Sequence, residues 1–182
     1  YQGTYENGLL IEYSYLKKDG SVKEPINYET TLIERDDVYY TKDTNKPYSG
    51  PVFSLYENGQ KKSEGTFKDG KVNGLYTGWH ENGQKYVEGT YKDDNKDGLW
   101  TEWYKNGQKN TEETYKDGKL DGLWTWWRKN GQKYMEYTQK DGKKDGPFTH
   151  WYEDGQKEWG GTYKDGKLIS SKEWNEDGSV RK

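Results

Sequence analysis

The sequence predicts an all-β protein: an elongated, single-layer antiparallel meander assembled from 24-residue β-hairpin repeats. Three observations predict it. Gly50, Gly74, Gly98, Gly122 and Gly146 recur every 24 residues, so the middle of the chain is an array. Residues 98–109 (GLWTEWYKNGQK) and 122–133 (GLWTWWRKNGQK) agree at ten of twelve positions. Each unit also carries turn signals, first Asn58-Gly59, Asn82-Gly83, Asn106-Gly107, Asn130-Gly131 or Asp154-Gly155, then Asp69-Gly70, Asp117-Gly118, Asp141-Gly142 or Asp165-Gly166 in four of the five units. A type I′ turn needs positive φ at both central residues, which these pairs tolerate, so both loops of a unit are expected to be tight two-residue turns. No stretch between turn signals is long enough to show an apolar face at helical spacing.

A chain that is 28% hydrophobic and 34% charged has a composition usual for disorder. Nine Trp, eighteen Tyr and three Phe reverse that expectation, because rings bury large areas even on a thin scaffold. The net charge is −3, with Lys interleaved among Asp and Glu, which leaves no basic face for a phosphate backbone and argues against a nucleic-acid partner. Absence of cysteine removes disulfides and thiolate metal sites. No apolar run is long enough to span a membrane as a helix. The lack of cysteine fits a reducing, cytoplasmic location or an exported one, a start at Tyr1 without Met is what a removed leader would leave, and the compartment stays open.

In chain order, residues 1–47 are expected to be degenerate N-terminal hairpins or a cap. Gly3-Thr4-Tyr5-Glu6-Asn7-Gly8 resembles Gly161-Thr162-Tyr163-Lys164-Asp165-Gly166, and Lys18-Asp19-Gly20-Ser21-Val22 resembles Glu176-Asp177-Gly178-Ser179-Val180. Between Val22 and Gly50 the period is lost. Residues 48–169 hold five repeats, and residues 170–182 a partial capping repeat whose polar edge keeps the meander from adding foreign strands.

Counting back from the Asn106-Gly107 turn pairs Trp100 with Glu113 and Gly98 with Tyr115. The same count one unit earlier pairs Tyr76 with Gly89 and Gly74 with Tyr91. A ring laid over a cross-strand glycine covers bare backbone and fixes register. One face is therefore expected to be structural, carrying Tyr76, Trp100, Trp124 and Phe148 with Phe67, Tyr91, Tyr115 and Tyr163. Alternation sends Leu75, Leu99 and Leu123 to the other face with a ladder of Trp79, Trp103, Trp127 and Trp151, two strands or about 10 Å apart. The ladder serves either as a binding face or as cross-strand packing that stabilises the sheet.

The run Gly65-Thr66-Phe67-Lys68-Asp69-Gly70-Lys71-Val72-Asn73-Gly74 resembles the core of a MORN repeat, Y-x-G-x-W-x-x-G-x-x-x-G-x-G. Gly65, Phe67, Gly70 and Gly74 fall on its first glycine, tryptophan, second and third glycines. The leading tyrosine is replaced by Ser63, Val87, Thr111, Met135 and Trp159, and the final glycine by Tyr76, Trp100, Trp124 or Phe148. With Tyr-x-x-Asn-Gly-Gln-Lys and Tyr-Lys-Asp-Gly-Lys recurring, the chain over residues 32–182 resembles the bacterial MORN-variant proteins known as YwqK-like antitoxins. That resemblance implies partner binding or toxin neutralisation and assigns no site residues.

For chemistry the sequence offers little. Asp93-Asp94-Asn95-Lys96-Asp97-Gly98 begins like a calcium loop, but Tyr104 stands where the bidentate glutamate belongs. It is read as a turn in which Asp94 replaces the glycine. His80 and His150, the only histidines, are read as substitutes for ring positions in the ladders. No nucleophile motif or phosphate loop is present, and no catalytic residue, cofactor or metal site is assigned. The expectation is a non-enzymatic, monomeric repeat scaffold that binds a protein partner through its aromatic face in an antitoxin- or immunity-like role. The alternatives are a carbohydrate or cell-wall binder and a spacer without a ligand.

Overall fold

The structure, a computed structural model, describes residues 2–6, 9–14 and 23–181, with side chains from residue 23 onward. The turns expected at Asn7-Gly8 and Asp19-Gly20 lie outside the described residues. Strands β1 (Gln2–Glu6) and β2 (Leu9–Ser14) form an antiparallel hairpin. Next come β3 (Ile26–Asn27), the four-residue helix α1 (Tyr28–Thr31), and the hairpin β4 (Leu32–Arg35) and β5 (Val38–Thr41). Asn27 caps α1, its side chain accepting from the Glu29 N–H. No helix among the described residues is long and apolar enough to cross a membrane.

The array follows as β6 (Gly50–Leu55), β7 (Lys61–Lys68), β8 (Lys71–Val72), β9 (Gly74–Trp79), β10 (Lys85–Lys92) and β11 (Asn95–Trp103). It continues through β12 (Lys109–Lys116), β13 (Lys119–Trp127), β14 (Lys133–Lys140), β15 (Lys143–Trp151), β16 (Lys157–Lys164) and β17 (Lys167–Glu173). From β6 to β17 each strand pairs antiparallel with its neighbour in sequence, apart from the short β8, which pairs only with β7. β3 adds to the outer side of β6 in parallel. The all-β meander of hairpins is thus observed, and Trp100 faces Glu113, Gly98 faces Tyr115, Tyr76 faces Gly89 and Gly74 faces Tyr91.

The two turn signals of a unit make different loops. At Asp69-Gly70, Asp117-Gly118, Asp141-Gly142 and Asp165-Gly166 both residues have positive φ, as type I′ turns require. Asp93 (φ 48°) and Asp94 (φ 64°) make the same turn without glycine. At the Asn-Gly pairs the expectation of a two-residue turn fails, because only the glycine has positive φ. There Gly59 N–H donates to Tyr56 O and Tyr56 N–H to Gln60 O, both at 2.9 Å, which is a three-residue loop ending in a glycine bulge. The asparagine belongs there for its side chain: Asn58 Oδ1 accepts from the Gln60 N–H at 2.9 Å.

Two further irregularities recur. Tyr86, Asn110 and Tyr134 are extra residues with no partner across the hairpin, since Trp79 pairs with Lys85 and Gly78 with Val87, and likewise in the later units. On the opposite flank Asp121-Gly122-Leu123 stands against the single residue Thr114. Gly122 there has φ +132°, a region an L side chain rarely adopts, which explains why one glycine recurs at every repeat.

The rings bury on one face, here called the ring face. Trp100 is 2% exposed, Phe148 3% and Tyr137 4%. One core cluster joins Met135, Tyr137 and Phe148 with Trp124, Tyr134, Trp159 and Tyr163. The other joins Leu32, Tyr48, Val52 and Phe67 with Ile26, Tyr28, Tyr39 and Val72, so the N-terminal segment covers the ring face over β6 and β7. Glycine covering is observed at Gly89 and Gly65 but fails at Gly74 and Gly98, whose positive φ (103° and 80°) turns the Cβ direction away and where no ring atom of Tyr91 or Tyr115 comes within 4 Å. A Cβ on Gly89 would lie 2.2 Å from the Trp100 ring, so Trp100 rather than Tyr76 covers it, while Tyr76 leans toward Gly65 at 3.3 Å.

Candidate interaction faces

The face opposite the rings is organised in three columns that cross the strands, set by the pairing register. Nearest the Asp-Gly turns, Leu75, Leu99 and Leu123 alternate with Thr90, Thr114 and Thr138. The three leucines are 46%, 57% and 48% exposed. In the middle, Thr77, Thr101 and Thr125 alternate with Glu88, Glu112 and Glu136. Nearest the Asn-Gly loops, Trp79, Trp103, Trp127 and Trp151 pair with Lys85, Lys109, Lys133 and Lys157.

The four tryptophans expected to form a ladder are therefore in one column, each half-buried. A lysine separates each from the next. Lys61 lies 5.3 Å from the Trp79 ring centre, Lys109 5.6 Å from Trp127 and Lys133 5.5 Å from Trp151, within cation–π reach. The same lysines pair with glutamates of the middle column: Lys61 with Glu64 at 2.7 Å, Lys133 with Glu136 at 2.6 Å, and Lys85 with Glu88 and Lys109 with Glu112 in close contact. These ion pairs are exposed and add little stability. Their effect is to cancel charge along the face.

Sequence reasoning missed the lysine and glutamate columns, although Lys-x-x-Glu recurs after Asn-Gly-Gln in four units. It also missed a further ring. Trp174 continues the tryptophan column, and its ring lies 3.4 Å from where a Cβ on Gly160 would be. Gly160 stands where the other units carry glutamate. The last unit is one residue short, which shifts Trp174 off the 24-residue count and hid it.

Behind the column, a stripe of polar side chains clips each hairpin to the next. Tyr56 Oη donates to Trp79 O at 2.5 Å, Tyr104 Oη to Trp127 O at 2.8 Å, Arg128 to Trp151 O at 2.8 Å and Tyr152 Oη to Trp174 O at 2.7 Å. His80 Nε2 makes the equivalent bond to Trp103 O at 3.2 Å. His80 thus substitutes for tyrosine, as expected. His150 occupies the position of Trp126 one unit earlier and packs against Phe148 and Trp159, with Nε2 2.7 Å from Tyr137 Oη. Burial holds its pKa below the ordinary histidine value.

Of the ring-face residues singled out from sequence, Trp100, Phe148 and Phe67 are buried and Tyr76, Trp124, Tyr91, Tyr115 and Tyr163 are half-buried. Burial raises the Tyr76 and Tyr137 hydroxyls to about 12. The array of rings is interrupted in the middle by Glu102 and Glu113. Glu113 accepts from Tyr115 Oη at 2.6 Å. Glu102 is raised above the usual carboxylate range, first by burial and then by the Glu113 charge.

In the Asp93-Gly98 segment Asp93 and Asp94 are engaged with the preceding repeat and Asn95 with the turn itself. Asp94 Oδ1 accepts from Val72 N–H at 2.6 Å, Asp93 Oδ1 from Asn73 Nδ2 at 3.0 Å, and Asn95 Nδ2 donates to Asp93 O at 3.0 Å. Among the described residues no group of three or more acidic or histidine side chains is placed to hold a metal ion.

Comparison with known families agrees with the geometry. Residues 48–69, 72–93 and 96–117 match the MORN repeat variant, three segments in the 24-residue phase of the hairpins. No curated protein matches the chain.

Proposed function

We propose that this chain is a non-enzymatic repeat scaffold that binds a protein partner through the face bearing the leucine and tryptophan columns. The observation that carries the reading is the leucine column. Leu75, Leu99 and Leu123 occupy one repeat position, and each is about half exposed where a solvated strand position ordinarily takes a polar residue. Together they make an apolar stripe with rises of about 10 Å. Half-buried tryptophans run parallel to it as anchors already held in place. Exposed aliphatic side chains favour a polypeptide over a glycan, since sugars stack on rings and not on leucines. The charge-cancelled Lys–Glu columns between and beside them suit a flat protein surface without long-range steering. The resemblance to YwqK-like antitoxins supports a partner that the chain neutralises, in an antitoxin- or immunity-like role.

The test is co-purification from the native host with the wild-type chain and with Leu99→Asp/Leu123→Asp. Both sites are exposed, so the variant should melt within about 1 kcal/mol of wild type. A stoichiometric protein partner present with wild type and lost with the variant is the expected result. A partner held equally by both refutes the face. Growth arrest by the partner expressed alone, relieved by this chain and not by the variant, is the expected outcome for the neutralising role.

A further inference from the structure

On the ring face, one position crosses the strands as Gly78, Val87, Glu102, Thr111, Trp126, Met135, His150 and Trp159. In its second half the side chains are large: Met135, His150 and Trp159 belong to or pack against the core, and Trp126, though exposed, meets Tyr134 edge-on at 5.6 Å. In its first half they are small or acidic, and Glu102 among them lines a cavity of about 470 Å³. His80, Tyr86, Glu102, Tyr104 and Asn110 line it, with Lys105, Lys129 and Trp103 of the tryptophan column also on its wall. Val87 is buried and the Tyr86 ring covers Gly78, so Glu102 is the member of this position that leaves the cavity open.

We propose that this cavity is a binding site for a single hydroxyl-rich ring, a hexose-sized sugar residue. The lining groups supply what such a ring needs. His80 and Tyr86, whose ring centres are 5.5 Å apart, and Tyr104 present flat apolar surface. Glu102 is an acceptor half-buried in the wall. Asn110 Oδ1 is occupied by Trp126 Nε1 at 2.9 Å, which orients the amide so that its Nδ2 is available as a donor. Lys105 and Lys129 add donors. Two ammonium groups against one carboxylate disfavour a cationic guest, and the polar wall disfavours a purely apolar one. The size suits a ligand of one or two rings. The site shares Trp103 with the proposed partner-binding face but none of its leucines, so Leu99→Asp/Leu123→Asp, which leaves the cavity lining intact, separates the two readings.

The experiment is amide and indole NMR of the full chain titrated with D-glucose, D-galactose, N-acetylglucosamine and D-glucuronate, with butylamine and methylguanidinium as cationic probes. At least one sugar should shift the Glu102, Tyr104 and Asn110 amides and the Trp126 indole N–H saturably. Glu102→Gln should weaken that binding tenfold or more. Glu102→Trp copies the next repeat, so it should fold, fill the cavity and abolish the shifts. Saturable shifts with the cationic probes alone, no saturable shift with any sugar, or sugar shifts that survive Glu102→Trp would each overturn the proposal.

Discussion

Trp100 and Gly89 make a pair whose removal can be worked out from both sides. Trp100 is 2% exposed, donates its Nε1–H to Thr90 O at 3.0 Å, meets Tyr91 edge-on at 4.7 Å and stacks with Tyr76 at 6.4 Å. Lys96 closes over the ring at 4.4 Å. Trp100→Ser should therefore cost about 3–5 kcal/mol, as deletion of a fully buried tryptophan does. In a chain of this length that is a fall in Tm of about 6–20 °C. Trp103, half-buried in the exposed face, should cost clearly less, about 1–2 kcal/mol. Gly89→Ala supplies the other side. Its Cβ would meet Trp100 atoms at 2.2, 2.4 and 2.6 Å, so the ring must move, at about 1–3 kcal/mol. With the ring gone, the same alanine should be neutral or gain about 0.5–1 kcal/mol over a strand glycine. Urea unfolding of the two single variants and the double variant should give a coupling energy on the order of 2 kcal/mol. If Gly89→Ala costs the same in both backgrounds, the ring does not rest on the glycine. If Trp103→Ser melts as low as Trp100→Ser, the tryptophan column is core and the binding face has been misplaced.

Further outcomes follow from single contacts. Asp94→Gly relieves a left-handed residue but loses the Val72 N–H acceptor, so it should destabilise by about 1 kcal/mol in urea unfolding, where turn chemistry alone predicts a gain. Added calcium should leave the melting curve unchanged. Tyr104→Phe removes the bond to Trp127 O and an acceptor for Trp126 Nε1, and should cost about 1 kcal/mol. His150 has a pKa below its ordinary value of 6.5, so below that pH the unfolded chain binds more protons than the folded one. Stability should fall as pH drops through that window, and His150→Trp should remove that part of the loss in thermal melts. Glu102 is shifted upward, so its contribution has the opposite sign: stability rises as pH falls toward 4.5, and Glu102→Gln should raise Tm at pH 7.

The hairpin array, its register and the division of rings between faces were legible because the period is strict and a strand alternates. The pairing of Trp100 with Glu113 follows from counting alone once the turn is placed. The Asn-Gly loops were misread because Asn-Gly serves two turn types. The extra residue opposite each loop, such as Tyr86 or Asn110, leaves no composition signal that would separate them. Trp174 was hidden by a single missing residue, and the cavity beside Glu102 by the fact that its lining is gathered from three successive repeats. The clip from Tyr104 to Trp127 O joins a loop to a strand end one repeat later, which no local pattern reports.

Those clips also bear on how the chain comes together during synthesis. Tyr56, His80, Tyr104 and Arg128 each reach a carbonyl 23 residues ahead, whatever the number of units that follow. A nascent chain leaving the ribosome therefore needs only one more repeat in hand to fasten the last, and no early strand waits for the C-terminus to find its partner. Contact separation stays fixed as the array lengthens, so the time to close each new unit should not grow with repeat number. Loss or duplication of a whole unit leaves that order of assembly intact, so proteins of this kind can change length without relearning how to fold.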